Sequence, residues 1–181
     1  MTIGEELSAI YERSGTALYF GEPVTVTEHC LQAAHFARAA AASDALVLAA
    51  LLHDIGHLID EAPDDIGEWT SDAQHELTGS RWLASRFGAA VCEPVRLHVP
   101  AKRYLCATDP AYFSKLSPAS VITLRLQGGP MTRAEVAAFE AEQYHRDAVL
   151  VRQCDDQGKI AGLRTAAFAD YRALIERLAL R

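Results

Sequence analysis

Apolar residues recur along most of the chain at the spacing of helices rather than strands. Alternating patterns rich in Val, Ile and Thr are nearly absent, apart from residues 24–27. Helix-start residues, apolar stripes and Gly or Pro stops follow one another instead. The pattern predicts an all-α fold built from roughly seven or eight helices.

Capping and breaking residues predict the helix boundaries. A helix over about residues 27–42 is followed by one that begins at Ser43 or Asp44 and breaks near Gly56. Later helices are expected from a Ser71–Gln74 capping box to near Gly88, up to about Pro100, from Ser117 and Pro118 to Gly128, from a Thr132–Glu135 capping box to about Arg152, and over 166–180. Residues 61–67 are predicted to form a surface loop and residues 155–158 a turn.

The net charge is negative, and this limits the classes of ligand. At −7, a chain of 181 residues is a poor match for nucleic-acid backbones, which are bound by many Lys and Arg side chains. No basic segment followed by an apolar stretch opens the sequence, and the longest apolar run, 45–52, is too short to cross a membrane. The sequence therefore predicts a cytoplasmic protein whose ligand is a small molecule, with neither nucleic acid nor membrane as partner.

Four separated histidines carry the candidate chemistry: His29, His53, His75 and His98. Each lies near a predicted helix end or on an apolar helix face; His29 shares its face with Gln32, Ala33, Phe36 and Ala40. A buried imidazole needs a hydrogen bond or a metal, and any one of these alone is more simply a hydrogen-bonded core residue. Together they indicate a site between helices for Fe, Mn, Zn or Co.

Asp54, directly after His53, adds a carboxylate that can bridge two cations. A site of two metals with open coordination positions can hold an anionic substrate and activate water or dioxygen. A closed structural site would favour cysteine ligands. The four cysteines show no CxxC spacing and are predicted to be free, mostly buried residues.

The order His29, then His53 and Asp54 within LLHDIGH, then His75, His98 and Asp155 resembles the HD-domain superfamily. The strings YFGE, EHCLQ, HVPAKRYL and LQGGPM are similar to those of its mixed-valent diiron oxygenases, the 2-amino-1-hydroxyethylphosphonate dioxygenases and their 1-hydroxy-2-(trimethylammonio)ethylphosphonate counterparts. The similarity runs from about residue 19 to residue 156. It implies one HD domain over 1–181, with a core at about 25–105 and C-terminal helices at about 117–181 that supply the last metal ligand.

The resemblance also implies the ligands and the reaction. One iron would be held by His29, His53 and Asp155, and the other by His75 and His98, with Asp54 as the bridge. The family works in a mixed-valent Fe(II)/Fe(III) state with dioxygen as co-substrate. Cleavage of the substrate's C–P bond releases phosphate and a carboxylic acid such as glycine or glycine betaine.

Further positions match the family's substrate contacts. Lys102 and His57 are implied to bind the phosphonate, together with Ser120, Thr123 and Gln127 on one helix face. From the residues alone, Lys102 could equally be a solvated cation, His57 a helix cap and the three polar residues an ordinary exposed face.

Tyr19 and Glu22 match a pair that closes over the site in the family. The tyrosine occupies the oxygen-binding iron until substrate draws the glutamate towards its amino end. Phe20, Leu58 and Ile59 depart from the expected pattern. An aromatic residue such as Phe20 suits a trimethylammonium group, so the substrate nitrogen is left open between a primary amine and a quaternary one.

Two other functions are compatible with the same residues. A phosphohydrolase would use two metals to activate water against a phosphate ester, without oxygen and with Mn, Co or Zn. A non-catalytic HD module would bind a small anion or a partner protein, and it would not need all six ligands. His35 and His145 match no ligand position and are expected to be structural or surface residues.

Overall fold

The computed structural model describes residues 1–59, 72 and 74–180. Ten α-helices account for most of these residues, and the prediction of an all-α fold is confirmed. The helices are α1 (Ile3–Ser14), α2 (Val26–Ala39), α3 (Asp44–Leu52), α4 (Ile55–Ile59), α5 (His75–Ala84), α6 (Ala89–Thr108), α7 (Pro118–Leu126), α8 (Arg133–Glu140), α9 (His145–Gln157) and α10 (Arg172–Leu178). Short 3₁₀ segments cover Phe113–Lys115 and Phe168–Tyr171. Within the described residues, pairing of extended backbone is limited to the isolated bridges Leu18–Thr25 and Phe87–Ala179.

Several helices begin where the sequence places a cap. Thr25 and Thr132 form complete capping boxes with the residue three positions on, and the Ser43 and Ser117 side chains each accept a backbone N–H of the first turn. Gln74 stands at the start of α5, but its side chain makes no capping bond. Ser71, the other half of that predicted capping box, and the predicted loop 61–67 lie outside the described residues.

α3 is the central element of the core. All its residues from Leu46 to Leu52 are buried, because α2, α6, α9 and α10 pack around it. α6 also packs along α5 and α9. The predicted face of α2 is buried at His29, Gln32 and Ala33, whereas Ala40 lies past the helix end and is exposed.

The predicted break near Gly56 is wrong by a few residues: the chain leaves the helix at His53 and Asp54, and Gly56 lies inside α4. The glycine is needed there for space. A Cβ on Gly56 would come 2.0 Å from the carbonyl oxygen of His75, so only a bare backbone lets α4 approach α5 this closely.

The predicted helix end near Pro100 is also wrong, because α6 continues for 20 residues through Pro94 and Pro100. A proline inside a helix removes one backbone hydrogen bond. Packing of α6 against α3, α5 and α9 offsets that loss.

Three boundaries in the second half differ from expectation. The helix predicted to run to Arg152 is split into α8 and α9 by a turn at 141–144, a stretch that contains neither Gly nor Pro. Asp155 and Asp156 lie within α9 and not in a turn, since Gly158 is the residue that ends the helix. The last predicted helix is a 3₁₀ turn followed by the short α10.

Two predictions about composition can be compared with the fold. The four cysteines are free, and Cys30, Cys92 and Cys154 are buried, as predicted. Among the described helices, none combines the length and apolar character required to span a bilayer.

Candidate metal centre

The six predicted metal ligands lie together at the centre of the helices. His29 comes from α2, His53 and Asp54 from the break between α3 and α4, His75 from the start of α5, His98 from α6 and Asp155 from α9. His75 is 8% exposed, and the other five are at most 1% exposed. They form two candidate metal-binding groups that share Asp54: His29, His53 and Asp54, and Asp54, His75 and His98.

Backbone carbonyls orient three of the imidazoles. Nδ1 of His29 contacts the carbonyl oxygen of Gly158 at 2.9 Å, Nδ1 of His53 that of Ala50 at 2.8 Å, and Nδ1 of His98 that of Val95 at 2.7 Å. A neutral imidazole that donates from Nδ1 carries a lone pair on Nε2. This arrangement directs the Nε2 lone pairs toward the shared centre, as in metal sites.

The Nε2 atoms of the four histidines lie close together in two pairs. Nε2 of His29 and Nε2 of His53 are 3.1 Å apart, and the same distance separates Nε2 of His75 and Nε2 of His98. Two lone pairs facing each other at this distance repel unless a proton or a metal ion lies between or beside them. The paired nitrogens therefore fit a cation at each position.

The Asp54 carboxylate lies between the two histidine pairs and turns one oxygen to each. Oδ2 is 3.3 Å from Nε2 of His53 and 3.5 Å from that of His29. Oδ1 is 3.3 Å from Nε2 of His75 and 3.6 Å from that of His98. This is the placement that a bridging carboxylate requires.

Asp155 completes the group around His29 and His53. Its Oδ1 is 3.4 Å from Nε2 of His29 and makes no hydrogen bond of normal geometry, although it is buried. Its Oδ2 forms an ion pair with Nη1 of Arg152 at 2.8 Å. One oxygen is thus held by Arg152, while the other is left facing the imidazoles.

The neighbouring ionisable groups at the centre shift one another's pKa values. Burial lowers the pKa of His53, but the adjacent Asp54 outweighs it and raises the pKa to about 9. Burial alone would raise the pKa of Asp54, yet His53 holds it well below its usual range. A metal ion bound to His53 would take the place of its proton, and metal binding at neutral pH would then release that proton.

The donor set fits two metal ions, because nitrogen and carboxylate ligands converge while Asp54 Oδ2 and Asp155 Oδ1 have no normal hydrogen bond. Imidazole and carboxylate ligands suit iron, manganese, cobalt or zinc. Among the described residues, no cysteine belongs to either group, which argues against a closed structural zinc site.

Arg152 is predicted to position Asp155. Replacing it by Met should lower metal affinity about 10- to 100-fold, since the carboxylate loses the bond that fixes its rotation. Metal affinity is measured by competition with a chelator. Arg146→Met removes the same charge from an exposed position on the same helix and should leave the affinity unchanged; equal affinities in the two variants would contradict the positioning role.

Four of the five predicted anion contacts lie on α6, on α7 or at the end of α7, and the fifth, His57, lies in α4. Lys102 is 2% exposed and therefore is not a solvated cation; its Nζ donates to Oγ1 of Thr123 at 2.8 Å. Burial, followed by the nearby Arg152, lowers the pKa of Lys102 to about 7. Ser120 is buried one turn before Thr123, and Gln127 ends α7 with its Oε1 buried.

Tyr19, one of the two residues predicted to close the site, and its neighbour Phe20 lie against the histidines. The Tyr19 ring stacks on the His29 ring, with centroids 3.8 Å apart and planes at 13°. Phe20 packs edge-on against His57, which stacks on His75 at 3.8 Å. Burial, followed by Asp54, raises the pKa of the Tyr19 phenol, so a phenolate there would need a metal ion as its counter-charge.

Sequence reasoning missed two cations next to these residues, Arg152 and Lys159. Arg152 precedes Asp155 by three positions on α9, a spacing that places both side chains on one face, so its signal was present. Lys159 follows the end of α9, and nothing local in the sequence marks it. His35 and His145, which match no ligand position, are half-buried. His35 packs edge-on against Phe36, and Nδ1 of His145 contacts the carbonyl oxygen of Glu142.

A helical fold with two adjoining groups of buried histidines around one aspartate is the arrangement expected of a metal-dependent enzyme with its site between helices. A family model described as the HD domain matches residues 26–155. The chain belongs to the HD-domain family, and the resemblance seen in the sequence is confirmed.

Two relatives are similar to this chain over nearly its whole length. Hydroxymethylphosphonate dioxygenase of Gimesia maris is 45% identical over 178 residues, which cover 97% of this chain and 89% of that protein. The glycine-betaine-forming 1-hydroxy-2-(trimethylamino)ethylphosphonate dioxygenase of Leisingera caerulea is 41% identical over 176 residues, or 97% of this chain and 90% of that protein. An uncharacterised protein of Acanthamoeba polyphaga mimivirus is 34% identical over 92% of the chain. With its histidine and aspartate groups, the chain is a metal-dependent oxygenase, as predicted.

Proposed function

We propose that this protein uses two iron ions and dioxygen to cleave the C–P bond of a small 1-hydroxyphosphonate. The observation that carries the proposal is the Asp54 carboxylate between two histidine pairs, in a chain related over most of its length to two phosphonate dioxygenases. One HD domain, formed around residues 25–105 and completed by Asp155 from α9, would supply the whole site.

The iron ions would be held as a mixed-valent Fe(II)/Fe(III) pair. His29, His53 and Asp155 would bind one ion, His75 and His98 the other, and Asp54 both. Iron ions bound there would supply the redox chemistry with dioxygen that amino-acid side chains lack.

The chain's own residues bind and orient the substrate. Lys102 and His57 would face the phosphonate, with the hydroxyl groups of Ser120 and Thr123 and the amide of Gln127 as further contacts. Tyr19 lies over His29, where it would restrict access to the centre until substrate is bound. Glu22 would face whatever substituent the hydroxyl-bearing carbon carries.

The overall reaction balances with dioxygen alone. A 1-hydroxyphosphonate and one dioxygen give one carboxylic acid and one phosphate; the carbon bonded to phosphorus is oxidised and both oxygen atoms are reduced. The product acid depends on the substituent: formic acid from hydroxymethylphosphonate, glycine from the 2-amino compound and glycine betaine from the trimethylammonio compound.

The first test is oxygen uptake together with phosphate release. Iron-loaded protein is given hydroxymethylphosphonate, 2-amino-1-hydroxyethylphosphonate and the trimethylammonio analogue in separate assays. Phosphate should appear with at least one of them in equal amount to the oxygen consumed, and zinc-loaded protein should be inactive. Phosphate release without oxygen, or with zinc, would contradict the proposal and favour a two-metal phosphohydrolase.

A further inference from the structure

Lys159 lies beside the proposed substrate site and has no role in the function described so far. It follows Gly158, whose carbonyl oxygen contacts His29, and precedes Ile160, which exchanges two hydrogen bonds with the Gln32 side chain. The backbone on both sides of Lys159 is therefore fixed to α2. Its side chain is 13% exposed.

The Lys159 ammonium group contacts three oxygens of the site. Nζ donates to Oγ of Ser120 at 3.0 Å and to Oγ of Ser117 at 3.2 Å. It also lies 3.5 Å from Oε1 of Glu22, a carboxylate that is itself only 14% exposed. The Tyr19 ring centroid is 5.9 Å away.

α7 places two lysines on adjacent hydroxyl groups. Lys102 donates to Thr123, and Lys159 donates to Ser120 one helical turn earlier. Both cations are mostly buried, which is costly unless an anion compensates them. Glu22 compensates one, and a phosphonate dianion has the charge and the oxygen atoms to compensate both.

We propose that Lys159 is a second phosphonate-binding cation, which pairs with Glu22 until the substrate's phosphonate takes the place of that carboxylate. Binding of the phosphonate would then free Glu22 to face the substituent on the hydroxyl-bearing carbon. The inference rests on the proposed function for the identity of the anion.

The electrostatics of the surrounding groups agree with this arrangement. Burial and Arg152 are the main reasons for the lowered pKa of Lys102, and Lys159 adds to them. Lys159 is also among the cations, after Arg152, that hold the pKa of Asp155 low against the effect of burial. Lys159 thus acts on both the predicted metal ligand and the predicted anion contact.

Binding of inorganic phosphate to the metal-loaded protein tests the proposal by calorimetry. Lys159→Met should weaken phosphate binding about 10- to 100-fold. Lys115→Met, which removes the same charge from an exposed position, should change it less than about twofold. Metal content and melting temperature are measured for each variant, and Lys159→Gln, which can still donate to the two serines, serves if the Met variant does not fold.

The outcomes separate this inference from the proposed function. Phosphate affinity in Lys159→Met equal to that of Lys115→Met would overturn the role of Lys159, even in an active oxygenase. Weakened phosphate binding in a protein that never consumes oxygen would support Lys159 as an anion ligand while contradicting the oxygenase. Glu22→Gln should strengthen phosphate binding, because the carboxylate that competes for Lys159 is removed. The increase in phosphate affinity should be larger in the protein that retains Lys159 than in the Lys159→Met background. Equal increases in the two backgrounds would contradict the role of the ion pair.

Discussion

Asp54→Asn is expected to abolish oxygenase turnover and to leave the protein unable to hold two metal ions. The amide keeps the shape of the side chain but offers one neutral oxygen, so it cannot serve both histidine pairs. Metal ions stabilise the transition state by several kcal/mol, and losing that stabilisation corresponds to a rate decrease on the order of 10³-fold or more. Asp54→Ala should have the same result.

Metal content per chain and phosphate release are the two measurements. Asp44→Asn, an exposed carboxylate at the start of α3, is the matched control and should retain both. A fully active Asp54→Asn protein with two metals would show that this carboxylate does not bridge.

Lys102→Met is expected to weaken substrate binding by about 10²-fold, because it removes the buried amine that is proposed to face the phosphonate as an ammonium group. The loss should appear mainly as a higher KM, with kcat changed less, if the lysine binds the phosphonate equally in the ground and transition states. Lys115→Met is again the control for net charge.

The pKa of Lys102, lowered to about 7, gives the same site a pH dependence. Above pH 7 the free protein holds a neutral amine, so binding an anion requires the uptake of a proton. Affinity should therefore fall about tenfold for each pH unit above 7 and be independent of this lysine below it. Measurements between about pH 7.5 and 9 are suitable, since the phosphonate is a dianion throughout.

Lys102→Arg separates this effect from other titrations. A guanidinium group stays protonated over the whole range, so the decline should disappear even if the affinity itself changes. A decline of equal slope in wild-type protein and Lys102→Arg would assign the titration to another group.

Much of the candidate site could be predicted, because its residues lie at positions that helix periodicity and helix ends mark in the sequence. His29 lies on a helical stripe, and His53 and Asp54 adjoin at the end of an apolar run. Their convergence in the fold agrees with the predicted set, whose roles remain predictions. The start of α7 can be predicted in the same way, because Ser117 and Pro118 are a common pair at the N-cap and first position of a helix.

The sequence-based predictions fail where tertiary packing, and not the local sequence, determines a helix boundary or a side-chain contact. Pro100 predicts a helix end from local rules, but the packing of α6 against α3, α5 and α9 keeps the helix intact. The turn between α8 and α9 carries no residue that disfavours helix, so its position is fixed by how α9 packs against α2 and α6. Lys159 acquires its contacts through pairing with residues about 40 positions away, which no local pattern reveals.

Within six consecutive residues, the segment 155–160 provides the carboxylate of Asp155, a predicted metal ligand, the carbonyl that contacts His29, the Lys159 ammonium group and the backbone groups of Ile160 that bond to the Gln32 side chain. A change in the length of this segment should therefore be tolerated less well than a substitution within it. One inserted or deleted residue would shift the later contacts relative to Asp155 and damage the proposed metal and anion sites together. The turn at 141–144 provides none of these groups, so homologues and designed variants should vary in length there and not at 155–160.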